Sequence, residues 1–188
     1  MKYLITGLGN IGAEYANTRH NIGFKILDAF AQASNSSFIS MRYGSLSEVK
    51  WKGRTFFLLK PSTYMNLSGN AVNYWLQSEK ITIENLLVVV DDVALDLGVI
   101  RLKGQGSDGG HNGLKHITQV LGHQNYARLR FGIGNDYPQG FQVDYVLGEW
   151  EKKEREILPE KIDIAVEAIK SFATTGLGRT MNIFNTKK

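Results

Sequence analysis

The sequence predicts an α/β fold: a single domain on a mixed, mostly parallel, twisted sheet, with one hairpin and with helices on both faces. Three observations predict it. Apolar, strand-like runs alternate along the chain with segments whose apolar residues recur at helical spacing. Two strand-like runs are separated only by Lys52 and Gly53, which indicates a hairpin. No repeat, low-complexity segment or long linker divides the chain, so we expect one domain over residues 1–188.

The elements of the first half follow from these patterns. KYLIT is a short buried strand, and a Gly/Asn-rich loop continues from it to Asn17. A helix comes next, with its apolar stripe at Ile22, Ile26, Phe30 and Ala33. SEVKW and RTFFLLK alternate in polarity, which is typical of a hairpin, and Pro61 ends the second run. After the loop STYMN, a helix is predicted from about Ser68, with an apolar stripe of Val72, Trp75 and Leu76.

The second half predicts the centre of the sheet. LLVVVD has the pattern of a strand buried on both faces. VIRLK and ARLRFGIG are further strands, and between them lie the five-glycine loop KGQGSDGGHNG and a helix over residues 114–121. EKKEREIL and IDIAVEAIKSFATT predict two terminal helices, separated by Pro159. Because ligands bind beyond the carboxyl ends of such strands, the candidate site comprises the loops at residues 7–21, 61–70 and 104–113.

Composition excludes several function classes. The chain has no cysteine, so it has no disulfide and no thiolate nucleophile. No apolar run approaches the ~18 residues of a membrane span, and the start of the chain resembles a strand rather than a signal peptide, so we expect a cytoplasmic protein. The formal charge is +4, but residues 97–135 hold five Lys/Arg against one Asp. That stretch suits a polyanion such as a phosphate backbone, although cations that merely solvate a surface explain it equally well.

Three short motifs suggest other chemistries and fit them poorly. GLGNIG matches the dinucleotide fingerprint, but the polar loop continues past it and no acid follows about 20 residues later, so a nucleotide-cofactor enzyme is the weaker alternative. A tight turn that needs Gly7 and Gly9 explains the glycines but not Asn10. GQGSDG lacks the first glycine of a nucleophile elbow. His111 and His116 are five residues apart rather than four, so no metal site is expected.

His20, in the segment NTRHN, is the candidate general base. It precedes a predicted helix, whose positive end lowers the pKa of an imidazole and keeps it neutral. Asp91, at the carboxyl end of LLVVVD, is the candidate carboxylate that orients the ring, because a charge at the end of a buried strand needs a partner. A solvated histidine and a turn aspartate are the plainer alternatives, and Asp92 fits the turn role better. Thr18, Arg19 and Asn21 would fix the loop around the base.

Three asparagines complete the set: Asn10, Asn66 and Asn112, each in a different loop at the same predicted edge of the sheet. An amide donates and accepts hydrogen bonds but does not titrate, so such a cluster suits a peptide main chain, a carbonyl oxygen or a water. The loop GGHNG can also bring backbone N–H groups to an oxyanion or a phosphate. These residues permit hydrolysis by an activated water without a covalent intermediate, and they leave the bond that is cleaved unidentified.

Five segments, in order and in register, resemble bacterial peptidyl-tRNA hydrolases: LITGLGNIGAEYANTRHNIGF, KPSTYMNLSGNAV, VVVDDVALDLGVIRLK, GSDGGHNGLKHI and ARLRFGIG. The resemblance runs from residue 3 to about residue 185. It implies a single-domain, usually monomeric enzyme that needs no metal or cofactor. Such an enzyme hydrolyses the ester between a peptide and the 3′-terminal ribose of tRNA, with peptidyl-tRNA as its partner and with no membrane or obligate protein partner.

The resemblance also implies the catalytic roles. His20 matches the catalytic base, and Asp91 matches the carboxylate that orients it. Asn10 falls where an amide holds the catalytic machinery and the substrate. Asn66 and Asn112 fall where amides bind the peptide and help to place the water.

The binding residues follow from the same resemblance. His111 lines the crevice, and Tyr15 and Met65 match wall positions near the 3′ end. Lys103 and Arg130 match basic positions that hold the 5′ phosphate of the tRNA, with two neighbours, Arg101 and Lys115. A plant chloroplast splicing factor of the same superfamily keeps the fold but only binds RNA, so a non-catalytic RNA-binding module stays an alternative.

Three positions depart from the family pattern. Ile11 replaces the proline that is usual in GLGNPG, Ala94 stands where an acid is common, and Asp96 stands where proline is common. None of the three is among the residues to which a role is assigned. We expect the turn after Asp91 to differ locally.

Overall fold

The computed structural model describes residues 1–185; residues 186–188, the end of the predicted domain, lie outside the described part. Seven strands form one sheet: β1 (Lys2–Gly7), β2 (Ile39–Met41), β3 (Gly44–Trp51), β4 (Arg54–Pro61), β5 (Leu86–Asp92), β6 (Ile100–Lys103) and β7 (Ala127–Gly132). Their spatial order is β2-β3-β4-β1-β5-β7-β6. The short edge strand β2 was not predicted from the sequence, because its three residues are all exposed and carry no alternation in burial.

The centre of the sheet is parallel and its flanks are antiparallel. Strands β4, β1, β5 and β7 are parallel neighbours, whereas β2, β3 and β6 pair in the antiparallel sense. The hairpin of β3 and β4 turns at Lys52 and Gly53, both with positive φ, as a two-residue hairpin turn requires. The predicted mixed sheet with one hairpin is therefore confirmed, and the four central strands end at one edge.

Helices cover both faces, as predicted. Helix α1 (Ile22–Ala33) and helix α5 (Lys152–Thr175) pack on one face, and helices α2 (Ser68–Ser78) and α3 (Asn112–Leu121) pack on the other. The alternation of β1 divides its side chains between two cores: Tyr3 and Ile5 face α1 and α5, whereas Leu4 faces α2 and α3. Within residues 1–185, no helix combines the length and the apolar character that crossing a bilayer demands.

The two predicted terminal helices are one, and that prediction was wrong. Helix α5 runs through Pro159 without interruption. An interior proline costs about 3 kcal/mol, but burying one large apolar side chain recovers about 1.5–3 kcal/mol. Helix α5 buries apolar residues on both sides of the proline, among them Leu158, Ile169 and Phe172. Two short helices, α4 (Gln142–Val146) and α6 (Leu177–Phe184), were not predicted.

Candidate active site

The structure brings His20 and Asp91 together at the carboxyl edge of the sheet. His20 lies in a 3₁₀ turn, Arg19–Asn21, immediately before α1, and Asp91 lies near the end of β5. Nδ1 of His20 donates to Oδ2 of Asp91 at 2.8 Å. The carboxylate is only 4% exposed and the imidazole 15%. Because Asp91 engages Nδ1, the other ring nitrogen, Nε2, is left for a substrate or a water.

His111 binds the second oxygen of the same carboxylate. Its Nε2 lies 2.9 Å from Oδ1 of Asp91, and its Nδ1 accepts from the N–H of Gly113 at 3.1 Å. Because Nδ1 is an acceptor, the proton of a neutral His111 resides on Nε2 and is donated to Asp91. Both ring nitrogens of His111 therefore have partners. Of the two histidines, His20 has the nitrogen that can take a proton from a water.

The charges of this cluster are coupled through Asp91. Burial of the carboxylate raises its pKa, but the charges and hydrogen bonds of His111 and His20 together hold the pKa well below its usual range. Burial lowers the pKa of His20, whereas the hydrogen bond to Asp91 and its negative charge raise it by more, so the net shift is upward. The expectation of a lowered pKa for His20 was wrong, because the hydrogen bond and the charge of Asp91 together outweigh the effect of burial.

The same three residues form the one group of potential metal ligands found among residues 1–185. Ligand atoms of His20, Asp91 and His111 lie within 4.8 Å of one another. A metal ion there would compete with the hydrogen bonds that the two imidazoles make to the carboxylate. The prediction that the enzyme works without a metal remains a prediction.

A crevice of about 450 Å³ opens over this cluster. Eight of the ten predicted site residues line it: Asn10, His20, Met65, Asp91, Lys103, His111, Asn112 and Arg130. Two predicted residues, Asn66 and Tyr15, are not in its lining. Asn66 is exposed beside Met65, and Tyr15 is half-buried in the loop that follows β1. A larger cavity of about 650 Å³ lies at the opposite edge of the sheet, and no buried charged side chain lines it.

The residues around His20 fix the loop, as predicted. The side chain of Asn21 accepts from the backbone N–H of Asn10 and donates to its carbonyl, both at 2.8 Å. Arg19 binds Glu154 of α5 through Nε and Nη2, at 3.2 and 3.0 Å, and also donates to the carbonyl of Tyr145. The hydroxyl of Thr18 donates to the carbonyl of Tyr15. The loop after β1, α4 and α5 therefore all contribute hydrogen bonds to the segment that carries His20.

The glycines of GLGNIG serve close packing rather than unusual backbone angles. Neither Gly7 nor Gly9 has a positive φ, which corrects the turn interpretation. A Cβ on Gly7 would lie 2.4 Å from the carbonyl oxygen of Gly23, and one on Gly9 would lie 2.9 Å from the ring of Phe24. Helix α1 begins only at Ile22, so it does not follow this turn directly along the chain, as the dinucleotide-binding fingerprint requires.

One end of the crevice lies on a cationic face. Arg101 pairs with Arg130, and Lys103 with Arg128, in the register of β6 and β7. Residues directly opposite in two paired strands project from the same side of the sheet. We call these four residues the cationic face. Asp92 binds Arg130, with 2.5 Å between Oδ2 and Nε.

Asp92 also has the turn role that the sequence predicted for it. Its Oδ1 accepts from the backbone N–H of Ala94, one of the three departures from the family pattern. Ala94 lies at the wall of the crevice, whereas Ile11 and Asp96 do not line it.

Sequence reasoning missed two residues that the structure places here. Glu154 lies 135 residues from its partner Arg19, in a run of exposed charges, and nothing in that run singles it out. Arg128 had a signal: it lies two residues before Arg130 in a strand, so both side chains project from one face. Arg128 also lines the crevice.

Comparisons with known proteins point to one family. A family model described as peptidyl-tRNA hydrolase matches residues 4–188. A peptidyl-tRNA hydrolase of Phocaeicola vulgatus is 61% identical over 187 residues, and one of Bacteroides fragilis is 59% identical, with all of each chain covered. The crystal structure of peptidyl-tRNA hydrolase from Acinetobacter baumannii matches with a TM-score of 0.92 at 35% identity, over 99% of this chain and 95% of that one.

Proposed function

The chain belongs to the peptidyl-tRNA hydrolase family, and from this premise we propose that His20 activates a water to cleave the ester between a peptide and the 3′-terminal ribose of tRNA. Membership makes the chain an ester hydrolase that acts on peptidyl-tRNA. The observation that carries the proposed mechanism is the hydrogen bond between Nδ1 of His20 and the buried carboxylate of Asp91.

The steps follow from the free Nε2 of His20. Nε2 takes a proton from a water as the water oxygen adds to the ester carbonyl, and Asp91 stabilises the imidazolium that forms. The tetrahedral intermediate then expels the ribose oxygen, which receives that proton from His20. The products are a peptide with a free carboxyl group and a tRNA with a free terminal hydroxyl. No side chain becomes covalently attached to the peptide.

Amide groups are suited to stabilise the oxyanion. Asn10 and Asn112 line the crevice from different loops. The side chain of Asn21 holds the backbone of Asn10 in place through two hydrogen bonds. A preorganised donor to a developing oxyanion is worth about 10²- to 10³-fold in rate. Asn66, on the exposed 3₁₀ turn beside Met65, would bind the peptide further from the reacting bond.

The cationic face is suited to the phosphates of the tRNA. Lys103 is exposed, and Arg130 lines the crevice within reach of solvent. Asp92 holds Nε of Arg130, which fixes the guanidinium and leaves its two terminal nitrogens for a phosphate. Phosphate contacts of this kind place the 3′ end of the substrate over His20. We propose that one copy of the chain suffices, since all these groups belong to one crevice.

The test is the variant His20→Ala, assayed on peptidyl-tRNA. A positioned base contributes about 10²- to 10⁴-fold, so kcat should fall by that factor while tRNA binding persists. His123→Ala is the matched control, because His123 is exposed and lies outside the crevice. Dialysis against a chelator should leave the wild-type rate unchanged. Full activity in the His20 variant would refute the mechanism.

A further inference from the structure

Arg128 is a buried cation whose hydrogen bonds all run to backbone carbonyls. It is 1% exposed, and among residues 1–185 no carboxylate forms a salt bridge with it. Nη1 donates to the carbonyls of Gly106 and Ser107, at 2.9 and 3.4 Å. Nη2 donates to those of Gln124 and Tyr126, at 2.7 and 3.3 Å. One planar group therefore ties the loop of residues 104–110 to the start of β7.

That loop joins the two functional ends of the crevice. It leaves β6 at Lys103 and reaches the catalytic cluster at His111. Three of its glycines have positive φ, so it has little rigidity of its own. Its far end is held by Asp108, whose carbonyl accepts from the N–H of His111. Its near end is held by the guanidinium of Arg128.

The position of Arg128 in β7 also bears on Lys103. The two residues are opposite each other in the register of β6 and β7. Like charges at opposite positions repel, and the buried guanidinium cannot move away. This repulsion favours an outward orientation of the Lys103 ammonium, and Lys103 is exposed.

We propose that Arg128 is a positioning residue for tRNA binding: it anchors the near end of the loop of residues 104–110 and holds Lys103 toward the phosphates. The inference rests on the proposed function, in which Lys103 binds a phosphate of the substrate. Charge alone does not perform this role. A guanidinium presents five donors in a fixed plane and so spans two backbone segments, whereas an ammonium is a point charge on a flexible stem.

The experiment compares wild type, Arg128→Lys and Arg128→Gln on two substrates. One is peptidyl-tRNA, and the other is an N-acetyl-aminoacyl ester of adenosine, which has no phosphate. Both variants should raise KM for peptidyl-tRNA about tenfold, with kcat nearly unchanged, and should lower the salt slope of binding by about one phosphate contact. Hydrolysis of the adenosine ester should be unaffected. Wild type inactive on peptidyl-tRNA would refute the proposed function itself rather than the role of Arg128.

Two results would overturn the inference. Wild-type KM in Arg128→Lys would show that charge suffices, and equal losses on both substrates would show that Arg128 supports the catalytic cluster or the whole fold.

A second variant covers the outcome in which the Arg128 variants do not fold. Gly106→Ala disturbs the held carbonyl without removing a buried group, because Gly106 has a φ of 147° that alanine resists. It should reproduce the KM defect. Its control is Gly53→Ala, a positive-φ glycine in the hairpin turn, which should cost stability but leave KM unchanged. A Gly106 variant with wild-type KM would contradict the anchoring role.

Discussion

The variant Asp91→Asn tests the catalytic cluster most sharply, because one amide cannot replace a carboxylate that accepts from two imidazoles. Asp91 receives an N–H from His20 and one from His111. An asparagine offers a single acceptor oxygen and a donor NH₂. If the NH₂ faces His20, Nδ1 must become the acceptor and the proton moves to Nε2, which is then no longer a base. If the NH₂ faces His111, that ring must change tautomer and lose its bond to Gly113.

The magnitude follows from the bond that is lost. A hydrogen bond to a charged group is worth about 1.5–3 kcal/mol, and each 1.36 kcal/mol is tenfold in rate. kcat should therefore fall about 10- to 100-fold from the lost bond alone, and further where the wrong tautomer of His20 predominates. Without the charge of Asp91, the pKa of His20 should fall, so the acid limb of the profile of kcat/KM against pH should move to lower pH.

The assay is hydrolysis of peptidyl-tRNA across a pH series, with nitrogen NMR of the imidazole rings to identify the tautomers. The control is Asp28→Asn, which removes an exposed carboxylate that pairs with Lys60 on the surface. Near-wild-type kcat with an unmoved acid limb in Asp91→Asn would refute the reasoning, because it would show that the carboxylate neither orients nor stabilises His20.

The remaining predictions concern stability, the loop and the phosphates. The pKa of Asp91 is lower in the folded state than in the unfolded chain, so the ionised carboxylate should stabilise the fold above the unfolded pKa of about 4. This contribution to stability should be lost as the pH falls further. Acid unfolding of Asp91→Asn, followed by circular dichroism, should lack this pH-dependent component. Asn21→Ala, which removes the two hydrogen bonds to the backbone of Asn10, should lower kcat about tenfold, the effect of ~1.4 kcal/mol. The control is Asn185→Ala, which removes a similar pair of hydrogen bonds to the backbone of Leu102 and should cost comparable stability at unchanged kcat. Equal kcat in both variants would contradict a catalytic role for the hydrogen bonds of Asn21. Lys103→Ala should raise KM, and the increase should depend on salt because the variant releases fewer counterions on binding. The control Lys50→Ala, on the hairpin, should leave KM unchanged. An increase in KM that does not depend on salt would argue against a phosphate contact of Lys103.

The parts of the fold that could be predicted are those with a strong local pattern. The runs around Val88 and Leu58 are apolar and bounded by polar turns, so their strands could be predicted from the local pattern of apolar residues. The edge strand at Ile39–Met41 is exposed throughout and has no such pattern. Pro159 was misinterpreted because a local rule for helix interiors was applied where tertiary packing decides the outcome.

The site was predictable where chemistry constrains residue type. An acid at the end of a buried strand needs a partner, and this reasoning led from Asp91 to His20 although 71 residues separate them. The second imidazole on the same carboxylate was not foreseen, because sequence cannot show which oxygen of Asp91 faces which ring. The sign of the pKa shift of His20 failed for the same reason: it depends on a contact distance rather than on position along a helix.

The cationic face has a consequence for how far this enzyme can be stabilised. Two pairs of like charges face each other across β6 and β7, with Asp92 bound to one of the four. Such pairs oppose folding, and a bound polyanion relieves that opposition. Polyanions should therefore raise the melting temperature, and replacing the exposed Lys103 with a neutral residue should give a more heat-resistant protein that binds its substrate less tightly. On this one pair of strands, a change that increases thermal stability should therefore decrease affinity for the nucleic acid.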